Sequence, residues 1–157
     1  MLIRRLVAGK VCQSQASLNG KTVVVTGATS GIGKATAQEL AKRDARVIMA
    51  CRDIPKAEKA VQDIRQQTSS GQLIIRHLDL ASLQSVRDFA AGVCKEEEFI
   101  HVLINNAAVY QYPYTLTEDG FEMQMAVNHF GHFLLVHLLQ EKLQASHCMG
   151  FHPPMLC

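Results

Sequence analysis

Short apolar runs alternate with amphipathic stretches along the chain after residue 20. Four of these runs are apolar at nearly every position and rich in valine, isoleucine and leucine. They cover residues 21–26, 47–50, 73–75 and 102–104. Because the runs show no polar face, they are typical of strands that are buried on both sides, as in a parallel sheet.

Between the runs, apolar residues recur three or four positions apart, which places them on one face of a helix. This spacing predicts three helices, at Ala57, Ala60, Val61 and Ile64, at Val86, Phe89, Ala90 and Val93, and at Val127, Phe130, Gly131, Leu134 and Leu138. Asp53 is the candidate N-cap of the first of these helices, with Pro55 in its first turn. Thr115 and Glu118 have the spacing of a capping box ahead of the last helix.

With one more helix expected directly after the first run, the order of elements is β-α-β-α-β-α-β-α, with connections short enough for right-handed crossovers. This order predicts the α/β class with a doubly wound parallel sheet, Rossmann-like but incomplete, with about four β-α units. In such a sheet, strands three, two, one and four lie side by side, so the fourth forms an edge. We divide the chain into an N-terminal extension (1–19), a partial dinucleotide-binding domain (20–146) and a divergent tail (147–157).

Composition narrows the class of protein only a little. The chain has 157 residues, enough for one domain with a hydrophobic core. Its formal net charge of +2 is too small to indicate nucleic acid or an anionic membrane surface as a partner. The five cysteines are odd in number and form no CxxC pair, so we expect a reducing, intracellular environment.

The two ends of the sequence carry weaker signals. Residues 1–12 combine basic residues with an apolar run far shorter than the about 20 residues that a transmembrane helix needs. We therefore predict no transmembrane segment there and leave organelle targeting open. Near the other end, His147, Cys148, His152 and Cys157 match no common zinc spacing, so we predict no metal site.

A glycine-rich motif, TGATSGIG, joins the first predicted strand to the first helix. Gly27 permits a tight turn, Gly31 lets the backbone approach a pyrophosphate, and Gly33 lets the helix pack closely on the sheet. The helix N-terminus offers free N–H groups and the positive end of its dipole to phosphates. Thr29 and Ser30 add hydroxyl donors. In this strand–helix context the motif predicts a dinucleotide site.

The spacing of the motif is GxxxGxG rather than the GxGxxG of other dinucleotide-binding folds. Further along, LDL at 78–80, NNAA at 105–108 and Asn128 follow the third strand, the fourth strand and the start of the last helix. With these segments the chain resembles the short-chain dehydrogenase/reductase superfamily over roughly residues 18–146. The resemblance implies that Asp79 meets the adenine and that Asn128 is a catalytic-site asparagine.

The motif and the resemblance together imply a set of cofactor-binding positions along these segments. They are Gly27, Thr29, Ser30, Gly31, Ile32, Gly33, Arg52, Asp79, Leu80, Asn106, Ala107 and Ala108. Ala108 departs from the family pattern, which usually has glycine there. The departure adds a methyl group beside the expected path of the nicotinamide ribose.

The end of the second strand distinguishes the two nicotinamide cofactors. An NAD enzyme has a carboxylate there for the ribose 2′-hydroxyl, whereas an NADP enzyme has a cation for the 2′-phosphate. Cys51 occupies the acidic position, Arg52 follows it, and Asp53 comes one step later. We therefore predict that Arg52 binds the phosphate and that NADP(H) is the cofactor, with NAD(H) less favoured. The alternative role for Arg52 is a surface ion pair with Asp53 or Glu58.

Residues 50–53, 77–83 and 117–123 are similar to those of NADP-preferring retinol dehydrogenases. This narrower resemblance implies an NADP(H)-dependent oxidoreductase that interconverts retinol and retinal or related lipophilic alcohols and aldehydes. It also implies possible association with the endoplasmic reticulum or with mitochondria.

Hydride transfer to a carbonyl needs a group that supplies the hydroxyl proton. In the resembling family, a Tyr-x-x-x-Lys pair and a nearby serine do this. Tyr110, Tyr112 and Tyr114 are the tyrosines of this sequence, and none is followed by lysine four residues later. The alternative function is therefore an inactive, truncated isoform that binds nucleotide or dimerises with itself or a full-length relative. The histidines of the last helix are expected to be packing or partly exposed residues, not catalysts.

Overall fold

The computed structural model describes residue 14 and residues 16–148. Most of the predicted N-terminal extension and most of the histidine and cysteine tail lie outside the described residues. The elements in chain order are β1 (Thr22–Thr26), α1 (Gly31–Lys42), β2 (Arg46–Cys51), α2 (Ile54–Arg65), β3 (Gln72–His77), α3 (Leu83–Glu96), β4 (Val102–Ile104), α4 (Met123–Met125), a π-helical turn (Ala126–Phe130) and α5 (Gly131–Cys148).

The four strands form one parallel sheet in the order β3-β2-β1-β4. This order confirms the doubly wound α/β class, and it puts β4 at an edge of the sheet that the described residues form. Strands β2 and β3 are longer than their apolar runs. Their extra residues pair with each other, Arg46 with Gln72 and Cys51 with His77, so sheet pairing extends both strands into polar sequence.

Two apolar layers enclose the sheet, because successive β1 side chains point to opposite faces. Val23 and Val25 belong to the layer that contains the buried residues of α1 and α2, whereas Val24 belongs to the layer under α3 and α5. The buried positions of α2 and α3 are all ones that the helical spacing predicted, and the remaining predicted position, Val61, is partly buried. The sheet is therefore covered on both faces, and the carboxyl ends of its strands remain open.

The predicted apolar face of the last helix is confirmed in part: Val127 and Gly131 are buried and Leu134 and Leu138 pack partly buried against the core, but the most buried leucines lie one position further on. Leu135 and Leu139 are fully buried, whereas Leu134 and Leu138 are only partly buried. The cause is the π-helical turn Ala126–Phe130, which holds one residue more than an α-helical turn. One extra residue rotates everything after it by about 100° relative to a regular helix.

The predicted capping box ahead of the last helix is also wrong. The Thr115 hydroxyl donates to the Pro113 carbonyl, and the Glu118 carboxylate accepts from the Ser82 hydroxyl. A turn closed by Gly120, whose φ is +80°, separates these residues from the helix. The helical stretch begins instead at Met123, where the Glu122 carboxylate accepts the N–H groups of Gln124 and Met125.

Candidate nucleotide-binding site

A cleft of about 430 Å³ opens at the carboxyl ends of the strands. In doubly wound sheets this is the edge at which ligands bind. The cleft is lined by Gly27, Thr29, Ser30, Ile32, Gly33, Ala50, Cys51, Arg52, Asp53, Lys56, Leu78, Asp79, Leu80, Asn106, Ala107, Ala108, Val109 and Val127. The lining includes every predicted cofactor position except Gly31, which is exposed.

The turn between β1 and α1 depends on two glycines. Gly27 has a φ of +67°, and a Cβ built on it would lie 2.8 Å from the Ala107 Cα. A Cβ on Gly33 would lie 2.4 Å from the Gly27 carbonyl oxygen and 2.5 Å from the Asn106 Nδ2. Side chains at these positions would collide with backbone, so the glycines let α1 and the segment after β4 pack against the same turn.

The N-terminus of α1 is open toward the cleft. Ser30 is extended, with a φ of −155°, and among the described residues its hydroxyl caps no N–H group of the helix. The helical ladder starts with the Lys34 N–H, which donates to the Ser30 carbonyl, so the three preceding N–H groups have no partner within the helix. The first turn contains no acidic side chain, and Ile32 is 79% exposed. This arrangement fits a phosphate.

Thr26, a residue that the sequence analysis did not assign to the site, joins the ends of β1 and β4. Its fully buried hydroxyl oxygen accepts the N–H groups of Asn106 at 2.9 Å and Ala107 at 3.0 Å. The Asn106 amide in turn donates to the Thr26 carbonyl at 2.9 Å. The Asn106 side chain is therefore engaged with the protein backbone. The position of Thr26 directly before Gly27, at the start of the glycine-rich motif, is the sequence feature from which its role in the site could have been predicted.

Asn128 holds the far wall of the cleft. Its side-chain amide donates to the Val109 carbonyl at 2.8 Å and accepts the Val109 N–H at 2.8 Å. The same residue lies in the π-helical turn. In this chain the Asn128 side chain therefore fixes the backbone that follows Ala108, where the sequence analysis expected a catalytic-site asparagine.

Asp79 and Leu80 form the wall beyond β3. The Asp79 carboxylate accepts the Ala81 N–H at 2.9 Å, and the backbone N–H of Asp79 donates to the Ser85 hydroxyl at 2.9 Å. Leu80 is buried beneath the π-helical turn, since a Cβ on Gly131 would lie 2.5 Å from the Leu80 carbonyl oxygen. The orientation of the Asp79 carboxylate is thus set by the turn after β3 in which Asp79 lies.

The end of β2 contributes the charged part of the lining. The Asp53 carboxylate caps α2 by accepting the Lys56 N–H at 3.0 Å, and the Lys56 Nζ lies 3.0 Å from its other oxygen. The pKa of Asp53 is lowered, mainly by the hydrogen bond that its carboxylate accepts from the Lys56 N–H. Arg52 is exposed and forms no hydrogen bond or ion pair with Asp53, Glu58 or any other described residue. Its guanidinium is therefore available to a ligand.

Cys51, next to Arg52, is a buried thiol among the core residues at the end of β2. Burial raises the pKa of Cys51 to about 11, so the group is uncharged near neutral pH. The lining at the end of β2 therefore contains one carboxylate, that of Asp53, and this carboxylate is paired with Lys56.

The remaining candidate residues lie outside the cleft lining. Tyr110, Tyr112 and Tyr114 are exposed on the segment after β4, and His129 is exposed in the π-helical turn. The described side chains, those of residue 14 and residues 16–145, include no group of three that could hold a metal ion. None of the helices in that part of the chain is long and apolar enough to cross a bilayer.

The family model of the short chain dehydrogenases matches residues 21–148, and the chain belongs to this family. The strand order, the GxxxGxG turn and the cleft above it agree with that assignment. A solved metagenomic short-chain oxidoreductase in complex with NADP has a TM-score of 0.71 and 30% sequence identity, over 85% of this chain and 60% of that one.

Similar curated proteins are retinol dehydrogenases. Human retinol dehydrogenase 13 is 56% identical over 93% of this chain, and human retinol dehydrogenase 11 is 54% identical over 92%. The chain spans 44% and 45% of the lengths of these two proteins. The resemblance to retinol dehydrogenases that the sequence motifs implied is confirmed.

Proposed function

We propose that the cleft binds NADP(H) and serves a retinol dehydrogenase-like oxidoreductase that interconverts retinol and retinal or related lipophilic alcohols and aldehydes. The single observation that carries the proposal is the open N-terminus of α1 in the same cleft as Arg52. The open N-terminus of α1 suits a pyrophosphate, and the Arg52 guanidinium suits a further phosphate. When bound, the nicotinamide cofactor supplies or accepts the hydride.

The residues of the cleft divide into phosphate and base positions. The N–H groups at the start of α1, with the hydroxyls of Thr29 and Ser30, would bind the pyrophosphate. Asp79 would accept a hydrogen bond from the adenine amino group, since its carboxylate is held by only one backbone N–H among the described residues. The backbone of Ala107 and Ala108 would border the nicotinamide ribose, with Asn128 holding that backbone in position.

Preference for NADP(H) over NAD(H) would come from charge at the end of β2. Cys51 is uncharged and buried, so it offers the ribose neither an acceptor nor repulsion. The Asp53 carboxylate is tied to its helix and to Lys56, which reduces its repulsion of a phosphate. The Arg52 guanidinium lies in the cleft lining and interacts with the neighbouring Asp53 only through its charge, the weakest of the causes that lower the Asp53 pKa, with no hydrogen bond or contact ion pair among the described residues.

Calorimetry with NADPH and NADH tests the cofactor proposal. We expect NADPH to bind more tightly, and Arg52→Ala to remove most of the difference. A hydrogen bond to a charged group is worth roughly 1.5–3 kcal/mol, about ten- to a hundredfold in affinity. Lys59→Ala is the matched control, because Lys59 is an exposed cation of α2 outside the cleft lining. Equal affinity of the unchanged chain for both cofactors would contradict the proposal.

A second candidate function is nucleotide binding without turnover. It concerns residues 1–157 by themselves, in which none of the three tyrosines is followed by lysine four residues later. Loss of acid–base assistance alone slows catalysis roughly a hundred- to ten-thousandfold. In this case we expect pairing with a second copy or a full-length relative, since β4 has a strand neighbour on one side only within the described sheet.

Oxidation of NADPH with retinal separates the two candidates. Binding without measurable turnover supports the second, and sedimentation with and without a full-length retinol dehydrogenase then tests the pairing. Turnover that Gly31→Trp abolishes supports the oxidoreductase, because Gly31 has a φ of +54° and a bulky side chain there strains the phosphate-binding turn at the start of α1. Turnover that survives Gly31→Trp contradicts a reaction in this cleft.

A further inference from the structure

A buried histidine lies directly beneath the cleft. His132, in the first turn of α5, is only 7% exposed, and its Nε2 lies 2.9 Å from the Thr26 hydroxyl oxygen. Its Nδ1 lies 3.5 Å from the Asn128 carbonyl oxygen. The ring therefore bridges the end of β1 and the π-helical turn, the two elements whose side chains hold the backbone of the cleft wall.

The hydrogen bonds of Thr26 determine the protonation state of this ring. A threonine hydroxyl has one proton to donate and two lone pairs to accept with. The N–H groups of Asn106 and Ala107 occupy both lone pairs. The hydroxyl proton then serves the shorter contact, 2.9 Å to the His132 Nε2, rather than the Ile104 carbonyl oxygen, which lies 3.4 Å from the hydroxyl oxygen.

An imidazole nitrogen that accepts a proton in a hydrogen bond carries none of its own. On this assignment of the hydroxyl proton, His132 is neutral, with Nε2 unprotonated and its single proton on Nδ1, directed toward the Asn128 carbonyl. A protonated Nε2 would face a hydroxyl oxygen whose lone pairs are both in use. Charging the ring therefore breaks either the contact to His132 or one of the two N–H bonds that Thr26 accepts.

We propose that His132 is a positioning residue for the dinucleotide cleft, which acts through Thr26 on the backbone of Asn106 and Ala107. The neutral ring fixes the direction of the Thr26 hydroxyl, so that its lone pairs point at these two N–H groups. Protonation of His132 releases them and lowers the affinity for dinucleotide. The effect on affinity rests on the proposed function, whereas the effect on the two N–H groups does not.

Few titratable groups lie near the ring. Neither β1 nor β4 contains a titratable side chain. The helix α3, which packs against α5, contributes the Cys94 thiol, and the segment after β3 contributes the Asp79 carboxylate, which is held by its own turn. On its own helical stretch, His129 and His137 are exposed. The proton that His132 takes up therefore has no nearby carboxylate partner among the contacts of the ring.

Burial lowers the pKa of His132, and the hydrogen bond to the Asn128 carbonyl opposes this effect to a smaller extent. The folded-state pKa thus lies below the ordinary histidine value of about 6.5. The stabilising contribution of the neutral ring is present above about pH 6.5 and is lost as the pH falls toward and through the folded-state value. Acid conditions should therefore loosen the wall of the cleft.

Nitrogen NMR of the histidine rings in the full chain tests the protonation state without any ligand. We expect His132 to be neutral at pH 7 with the proton on Nδ1, and the amide signals of Asn106 and Ala107 to titrate together with it. His132→Gln should abolish that titration of the two amides, whereas His129→Gln should leave it unchanged. A proton on Nε2 at pH 7, or amides that titrate without His132, would overturn the inference.

Calorimetry between pH 7.5 and 5.5 tests the effect on affinity. NAD⁺ is the probe, because it lacks the 2′-phosphate, a group type that itself titrates near pH 6. We expect affinity to fall about three- to tenfold over this range, the size of one lost hydrogen bond, and to be nearly constant in His132→Gln. The same fall in His132→Gln would contradict the positioning role. Absence of binding of both NAD⁺ and NADPH at pH 7.5 would instead contradict the proposed function, while the amide titration still decides the positioning role.

Discussion

The first two strand–helix junctions of the sheet are built alike, but a side chain caps the helix N-terminus at only one of them. Where β2 leads into α2, the Asp53 carboxylate accepts the Lys56 N–H and closes the start of the helix. Where β1 leads into α1, the Ser30 hydroxyl accepts none of the helix N–H groups that the structure describes. Both helices have 12 residues, so the difference does not reflect their length.

This difference shows how the fold separates stability from binding. A capped helix is stabilised by its own side chain, commonly by about 1 kcal/mol. An uncapped helix forgoes that contribution and keeps its N–H groups for a ligand. The open junction is supported from outside the helix instead, by the close packing of Gly27 and Gly33 and by the bonds of Thr26.

The largest effect should come from filling the close contact under the open junction. Gly33→Ala puts a Cβ 2.4 Å from the Gly27 carbonyl oxygen, so backbone must move. Overpacking typically costs about 1–3 kcal/mol and sometimes more, and we expect the upper end, about 3 kcal/mol, by urea unfolding. Gly92→Ala in α3 is the matched control, because its Cβ meets nothing within 4 Å. That change should stabilise the helix by up to about 1 kcal/mol. Equal effects of the two changes would contradict the packing argument.

A smaller effect should follow from closing the open junction with a charged cap. Ser30→Asp supplies an acceptor for the helix N–H groups and a negative charge where the phosphates are proposed to bind. We expect NADPH affinity to fall at least about tenfold, the effect of about 1.4 kcal/mol, while thermal stability stays equal or rises. In contrast, Ser30→Ala should reduce affinity much less. Unchanged affinity in Ser30→Asp would mean that the phosphates bind elsewhere.

Ser30 and Ser82 both occupy N-cap positions, but only Ser82 caps its helix, so replacing each with alanine compares an open junction with a closed one. At the start of α3, the Ser82 hydroxyl accepts the Ser85 N–H, as an N-cap does. Ser82→Ala should therefore lower the free energy of unfolding by about 1 kcal/mol, whereas Ser30→Ala should change it by only a few tenths. Denaturant titration of the two variants provides the measurement. A larger loss in Ser30→Ala would show that Ser30 caps α1 in solution.

The smallest effect concerns pH at the closed junction. The Lys56 N–H bond to Asp53 holds the pKa of Asp53 below its ordinary value. The contribution of this carboxylate to stability is therefore present above about pH 4 and is lost as the pH falls through the lower folded-state pKa. Melting curves from pH 6 to pH 2 should show a slightly weaker acid dependence in Asp53→Asn, which keeps a capping oxygen without the charge. An identical acid dependence in both chains would contradict this role.

Local sequence patterns were sufficient to predict most of the fold. The strands follow from apolar runs without a polar face, and the buried positions of α2 and α3 follow from their helical spacing. Strand order follows from short right-handed crossovers, which leave few arrangements open. The cleft lining also follows, because the predicted residues stand at strand ends that a parallel sheet brings to one edge.

The sequence alone therefore determined the class of fold, the glycine turn and the residues around the cleft, since each depends on neighbours close along the chain. The tertiary structure decided the face of α5 and the roles of Thr26 and His132. Gly131 packs on Leu80, and His132 contacts Thr26, which lies 106 positions away in the sequence; both residues directly follow the π-helical turn with its extra residue. No local periodicity encodes such contacts, because residues distant in sequence meet only once the sheet has formed.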